Sequence, residues 1–155
     1  IWEGGHRVPF VVRWPAAVKA GTESNQTICL TDLFSTAAEL SGAKVSQNMG
    51  EDSFSFVRAL AGRKVGSDRD SIVHHSVNGT FAVRVGDWKL IEGNLGSGGF
   101  SAPRVVKPEA GKPAGQLYNL KADPSEANNV WEDYPEVVEK LLAELNKTRE
   151  DGRSD

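Results

Sequence analysis

The sequence has few cysteines, no positive excess and no long apolar stretch, and each shortage closes off a class of function. Cys29 is the one cysteine in 155 residues. No internal disulfide can form, Cys29 has no metal-ligand spacing to any histidine, and its default role is that of a small buried hydrophobe. No run of about 18 apolar residues occurs, so no segment is expected to cross a membrane. Lys plus Arg is 18 against 21 Asp plus Glu, a net charge of −3. That balance lacks the basic stripe on which nucleic-acid binding depends. Hydrophobic residues are 39% and glycines number 16, which predicts a loop-rich domain or part of a fold whose core is shared with further sequence.

The opening, Trp2-Glu3-Gly4-Gly5-His6-Arg7-Val8-Pro9-Phe10, has no initiator Met or polar lead-in. It reads as a Gly-Gly turn entering a strand, the kind of junction found inside an α/β enzyme. Val- and Phe-rich residues 8–14 predict that strand, with Pro9 at its start and Pro15 ending it. Ile28-Cys29-Leu30 is a short strand-like run. A helix follows, capped by Thr31 or Asp32, with Leu33, Phe34, Ala37, Ala38 and Leu40 on one face and Gly42 as its stop. A short helix is expected over 53–61, capped by Ser53, and the charged stretch 63–71 is expected to be exposed.

The second half turns to β structure. Strands are predicted at 71–75, 81–85, 88–91 and 116–120. Asn78-Gly79 and Gly86-Asp87 supply tight turns, so the strands they join must be antiparallel. Residues 92–115 form a long Gly- and Pro-rich connection of the kind that is either functional or mobile. The last helix has Asp133 as its cap, Pro135 at its first turn and an apolar stripe of Val137, Val138, Leu141, Leu142 and Leu145. Residues 151–155 read as a tail.

Three segments, in order, carry a family resemblance. The first is Glu3-Gly4-Gly5-His6-Arg7-Val8-Pro9 with Arg13-Trp14-Pro15. The second is Asp32-Leu33-Phe34-Ser35-Thr36 through Leu40-Ser41-Gly42. The third is Ala82 to Ile91, continued by Leu117-Tyr118-Asn119-Leu120 and Asp123-Pro124-Ser125-Glu126-Ala127-Asn128-Asn129. Together they resemble the C-terminal portion of a type I, arylsulfatase-like sulfatase. The resemblance implies an α/β parent of the alkaline-phosphatase-like class, hydrolysing sulfate esters with formylglycine and calcium. Its partners are then the missing N-terminal catalytic part and a sulfated small molecule or glycan, with no nucleic acid and no membrane. Residues 1–42 would end the large α/β domain as a strand plus a helix, 43–52 would link, and 53–150 would form an α+β subdomain, a small antiparallel sheet packed by the long helix. No Cys/Ser-x-Pro-x-Arg motif is present, and Cys29 is followed by Leu30-Thr31-Asp32. The nucleophile and the active-site lysine are therefore expected upstream of Ile1, with no catalytic residue and no metal ligand in the chain itself. The sequence assigns no compartment; a periplasmic or secreted parent is the expectation.

Within the chain the candidate substrate contacts are His6, His74, His75, Ser97 and Arg104. His6 lies in the turn next to where the lysine would be, and its glycines allow close backbone approach to a ligand. Its structural alternative is to cap a loop. Arg7 suits an oxyanion, though a structural pair with Glu3 four residues back is its stronger role. His74 and His75 are adjacent on a predicted strand and face opposite sides, so at most one meets a given pocket. Ser97, Phe100 and Ser101 in the Gly-rich loop can offer hydroxyls and a stacking face to a sugar, with Arg104 for a second anionic group; the alternative is a plain surface loop. Asp123-Pro124-Ser125-Glu126 reads as a turn. The readings kept open beside a carbohydrate sulfatase are a non-catalytic carbohydrate-binding or structural module and another alkaline-phosphatase-superfamily hydrolase acting on phosphodiesters or phosphonates.

Overall fold

The computed structural model describes residues 1–46, 48–63, 69 and 71–153. They divide into two units, Ile1–Val8 with Ser71–Gly152 and Pro9–Asp70 with Arg153–Asp155. In chain order the elements are α1 (Glu3–His6), α2 (Asp32–Ser41), α3 (Val57–Leu60), β1 (Ile72–His75), β2 (Phe81–Val85), β3 (Trp88–Glu92), β4 (Gly115–Asn119) and α4 (Pro135–Asp151).

The first unit is an antiparallel sheet in the order β1-β2-β3-β4, packed by α4. Val85 pairs with Trp88, leaving Gly86-Asp87 as a two-residue turn, and Gly86 takes the positive φ, +57°, that such a turn demands. The strand period of two then sorts the side chains. Val73, Val83, Leu90 and Leu117 lie in register across all four strands, and three of them are buried against Val138, Leu141 and Leu145 of α4. Pro135 opens α4 and Gly152 closes it with its N–H on the Thr148 carbonyl. The position before the helix is Tyr134 rather than Asp133, and no side chain caps it. Leu141→Ala is expected to cost about 2–5 kcal/mol, because the hole would lie in the one layer joining helix to sheet; the fall in the urea midpoint of the chain measures it. No described helix is long and apolar enough to cross a membrane.

The Gly-rich connection folds back on itself. Leu95 donates to the Val106 carbonyl at 2.8 Å, Ser97 to Pro103 at 2.8 Å and Gly98 to Arg104 at 2.7 Å. Asn94 pins it from within, its side chain accepting from Gly96 and Val106 and donating to Thr80 and to the Arg104 carbonyl. Gly96 is required there, since a Cβ would stand 2.6 Å from the Pro103 carbonyl oxygen.

The second unit departs from expectation in four places. Residues 8–14 form no strand and Ile28-Cys29-Leu30 forms none. A strand needs a neighbour for its N–H and C=O groups, and among the described residues of this unit the stretch pairs with none; Val11 is 89% exposed. Helix α2 begins and ends as predicted, with Gly42 left-handed at its C-terminus, but Leu33, Phe34 and Leu40 are exposed. The face it buries is polar. Asp32 accepts the N–H groups of Cys29 (2.8 Å) and Phe54 (2.9 Å), Thr36 Oγ1 accepts that of Phe56 (3.1 Å), and Ser35 pairs with Ser53. Helix α3 is a single turn with no side-chain cap, because the Ser53 hydroxyl, expected to start it, donates to the Thr31 carbonyl instead. Finally, the stretch 63–71 was expected to be exposed. Residues 64–68 and 70 lie outside the described residues, but Arg69 is buried, paired with Asp32 and stacked on the Phe54 ring at 4.5 Å.

Candidate functional site

The sheet face opposite α4 is built from two cross-strand rows, His74-Ala82-Ile91-Gln116 and Ile72-Arg84-Lys89-Tyr118. Five of its eight members, His74, Gln116, Arg84, Lys89 and Tyr118, carry polar groups, which makes this face unlike the hydrocarbon layer behind it. Residues 1–6 lie over it. The Gly-Gly segment is a one-turn helix rather than an open turn: Gly5 donates to the Trp2 carbonyl and Arg7 to that of Glu3. Trp2 Nε1 donates to Gln116 Oε1 at 2.8 Å, and Gln116 Nε2 reaches the carbonyls of Asn94 and Gly96. The side-chain amide thereby ties the opening segment, the Gly-rich loop and β4 together. Tyr118 donates to the same Oε1 at 2.6 Å; burial, and then the charges of Glu126 and Asp123, push its hydroxyl up to about 12.

At the centre is Lys89, 0% exposed. A buried ammonium is costly unless it is hydrogen-bonded and paired, and here it donates to the Ile1 carbonyl at 2.8 Å and to Glu3 Oε1 at 3.1 Å and forms an ion pair with Glu126 Oε1 at 2.8 Å. The second Glu126 oxygen accepts the Glu3 backbone N–H. The turn that delivers Glu126 is held by Asp123, whose carboxylate takes the Ser125 hydroxyl and the Asn128 N–H, and it leaves Glu126 at φ +54°. Arg84 Nη1 stands 3.9 Å from Glu3.

Glu3 Oε1 also meets His6 Nε2 at 3.1 Å. The hydrogen bond from His6, and then the Lys89 charge, hold the Glu3 carboxyl down at about 2 against the burial that pushes it up. The His6 ring in turn lies 4.3 Å from the ring of His74. Burial first, then the His6 and Lys89 charges, push His74 down to about 4; the Ile1 backbone and the Glu3 charge pull the other way without restoring it. His74 is therefore a neutral imidazole at ordinary pH.

The structure thus brings together two of the five candidate contacts, His6 and His74. His75 points to the α4 side, with its ring 5.8 Å from Phe81 and Nδ1 against the Ser76 carbonyl. Ser97 is 4% exposed, its hydroxyl donating to the Ser101 carbonyl and accepting the Gly99 N–H. Arg104 and Phe100 are exposed on the same loop. The expected Glu3–Arg7 pair is replaced: Glu3 serves His6 and Lys89, and Arg7 gives Glu3 only its backbone N–H. Lys89 and Glu126 are the members that sequence reasoning missed. Their signal was a charge inside the apolar strand Trp88-Lys89-Leu90-Ile91 and a carboxylate in the turn after β4.

Calcium asks for several converging oxygen ligands. Both carboxylates here are committed to Lys89, and among the described residues no group of three His, Cys, Asp or Glu side chains gathers. Cys29 Sγ lies 2.8 Å from Thr31 Oγ1. These residues fit neither a calcium site nor a formylglycine centre.

Residues 1–95 match the family described as N-sulphoglucosamine sulphohydrolase, C-terminal. The chain belongs to the sulfatases. It is 38% identical to an N-acetylgalactosamine-6-O-sulfatase of Bacteroides thetaiotaomicron over 96% of this chain and 29% of that protein. It is 29% identical to an ulvan-active sulfatase of Formosa agariphila over 91% of this chain and 32% of that protein. This sulfatase chain thus spans about three-tenths of the length of the curated relatives it matches. A solved structure from work on glycosaminoglycan metabolism by Bacteroides thetaiotaomicron superposes with a TM-score of 0.77 at 34% identity, over 94% of this chain and 30% of that one. Another, in complex with its substrate D-glucosamine-2-N,6-O-disulfate, gives 0.65 at 25%, over 89% of this chain and 27% of that one. The small sheet with its long helix is thus the C-terminal architecture of the α/β, alkaline-phosphatase-like sulfatases.

Proposed function

We propose that this chain is the substrate-recognition wall of a longer sulfatase that hydrolyses sulfate esters of a carbohydrate. The observation that carries the reading is the meeting of His6 and His74, 68 residues apart in sequence, at 4.3 Å over a rigid polar sheet face. The partly exposed His6 imidazole suits contacts to sugar hydroxyls, and His74, neutral and with both ring nitrogens buried, packs against its ring. The relatives named above act on sulfated galactosamine, ulvan and sulfated glucosamine, which supports a sulfated sugar as the substrate class. Arg104, exposed beside Phe100, is the candidate for a second anionic group on that sugar. His75 and Ser97 have no part in this proposal.

The chemistry would come from sequence outside this chain. A formylglycine nucleophile, calcium and the active-site lysine belong to the remaining seven-tenths of such a protein, and nothing in the described residues replaces them. Residues 1–42 would then complete the catalytic domain, with 43–52 as link and 53–150 as the smaller subdomain. The exposed Phe10, Val11, Trp14, Leu33, Phe34 and Leu40 support this, because monomeric proteins rarely leave such a series uncovered.

The test is turnover of a panel of sulfated mono- and disaccharides by the full-length, formylglycine-bearing protein. His6→Ala and His74→Ala are each expected to lower kcat/KM by at least about tenfold with the melting temperature preserved. Wild-type values in both variants would make the segment scaffold alone.

A further inference from the structure

We infer that Glu3 is a positioning residue that fixes the tautomer of His6, so that Nδ1 is the nitrogen His6 offers to substrate, with Lys89 and Glu126 holding Glu3 in place. This rests on the reading of His6 as a substrate contact.

An ionised carboxylate only accepts hydrogen bonds, and Glu3, held at about 2, is ionised at any working pH. Its Oε1 lies 3.1 Å from His6 Nε2, so in the neutral imidazole the hydrogen must sit on Nε2. Nδ1 is left as a bare acceptor. The carboxylate cannot swing away without cost, because the same oxygen takes a proton of Lys89. That ammonium is fully buried, donating also to the Ile1 carbonyl and ion-paired with Glu126. The Glu3 main chain is fixed as well, through its N–H on Glu126 and its carbonyl on the Arg7 N–H. The His6 side chain nevertheless remains 38% exposed, with His74 against its ring. The arrangement is a buried ion cluster that ends in a histidine at the surface.

The tautomer has a consequence for what is recognised. Sulfate oxygens only accept, so a neutral His6 with a bare Nδ1 gains nothing from them. A hydroxyl or amide N–H on the sugar does fit, since it donates. His6 would then read the substituent beside the sulfate ester rather than the sulfate itself, a specificity role.

The experiment uses the full-length protein labelled with 15N-histidine, with His6→Ala to assign the signals. At pH 8 His6 is expected to show one protonated Nε2 and one bare Nδ1, and in Glu3→Gln the two forms should mix, because an amide can donate as readily as accept. Glu3→Gln should also lower kcat/KM by roughly tenfold to a hundredfold, and should cost nothing further in a His6→Ala background. A wild-type His6 protonated on Nδ1, or costs of the two substitutions that multiply, would overturn the inference. If His6→Ala turns over normally, it is the substrate-contact reading that fails, and the nitrogen signals alone then uphold or overturn the tautomer.

Discussion

Lys89→Met is expected to destabilise the sheet unit by roughly 3–5 kcal/mol, the cost of breaking a buried ion cluster from one side. Methionine nearly matches lysine in length and would fill the space, so the loss would not come from a cavity. It would come from Glu3 and Glu126, two carboxylates converging on one point and left without the charge between them. Replacing all three at once, with glutamines for the acids, should recover most of the loss, since an apolar or neutral set of similar volume is often as stable as the ions it replaces. Urea unfolding followed through tryptophan fluorescence measures both variants; an unchanged midpoint for Lys89→Met would mean that the cluster does not hold the unit. Acid should act in the same direction. Glu3 titrates at about 2 in the fold against an ordinary 4.5. Its contribution to stability is therefore complete above pH 4.5 and is lost as the pH falls toward 2. Without Lys89 part of that depression disappears, so the variant should lose less on acidification than the wild type.

The sheet and α4 were legible because their signals are local. Alternation fixes which side of β2 and β3 is apolar, Gly86-Asp87 sets their register, and the stripe of Val138, Leu141 and Leu145 needs only its own helix to be read. His74 and His75 fall on opposite faces for the same reason. The ion cluster was not legible, because its bonds join residues 86 and 123 positions apart, and no pattern within a window of ten or twenty residues reports such a pairing. A lysine between Trp88 and Leu90 was the stronger clue, since a charge on a central strand must be either exposed or paired. In the second unit the local signals were real but their partners were not at hand. Among the described residues, 8–14 have strand composition and no strand to pair with, and Leu33, Phe34 and Leu40 of α2 stay exposed. What α2 buries instead was hidden by a different effect. Asp32 reads as a helix cap, yet its carboxylate serves the N–H groups of Cys29 and Phe54 and pairs with Arg69, a role that only the folded loop makes visible.

The 155-residue chain alone should show no sulfatase turnover above the uncatalysed rate, whereas the full-length protein should turn over sulfated sugars. A sulfatase centre needs a nucleophile, a cation to take up charge on the sulfate oxygens and a proton donor for the leaving group. The described residues can supply at most the last. Lys89 is fully buried, hydrogen-bonded to Ile1 and Glu3 and ion-paired with Glu126, while Arg69 is drawn into the Asp32 carboxylate. Cys29 Sγ has the Thr31 hydroxyl as its partner, and the neighbouring Asp32 carboxylate is taken up by the Cys29 N–H and Arg69. His6 and His74 are proposed only to hold a sugar, and positioning alone accelerates nothing when the group to be positioned against is elsewhere. The measurement is release of inorganic sulfate from the sugar panel by equal amounts of the purified chain and the full-length protein. Turnover by the chain that survives repurification, and that His6→Ala abolishes, would place the chemistry in these residues and overturn the division of labour proposed for them. Binding of the same sugars by the inactive chain, weakened by His6→Ala, would show recognition operating without catalysis.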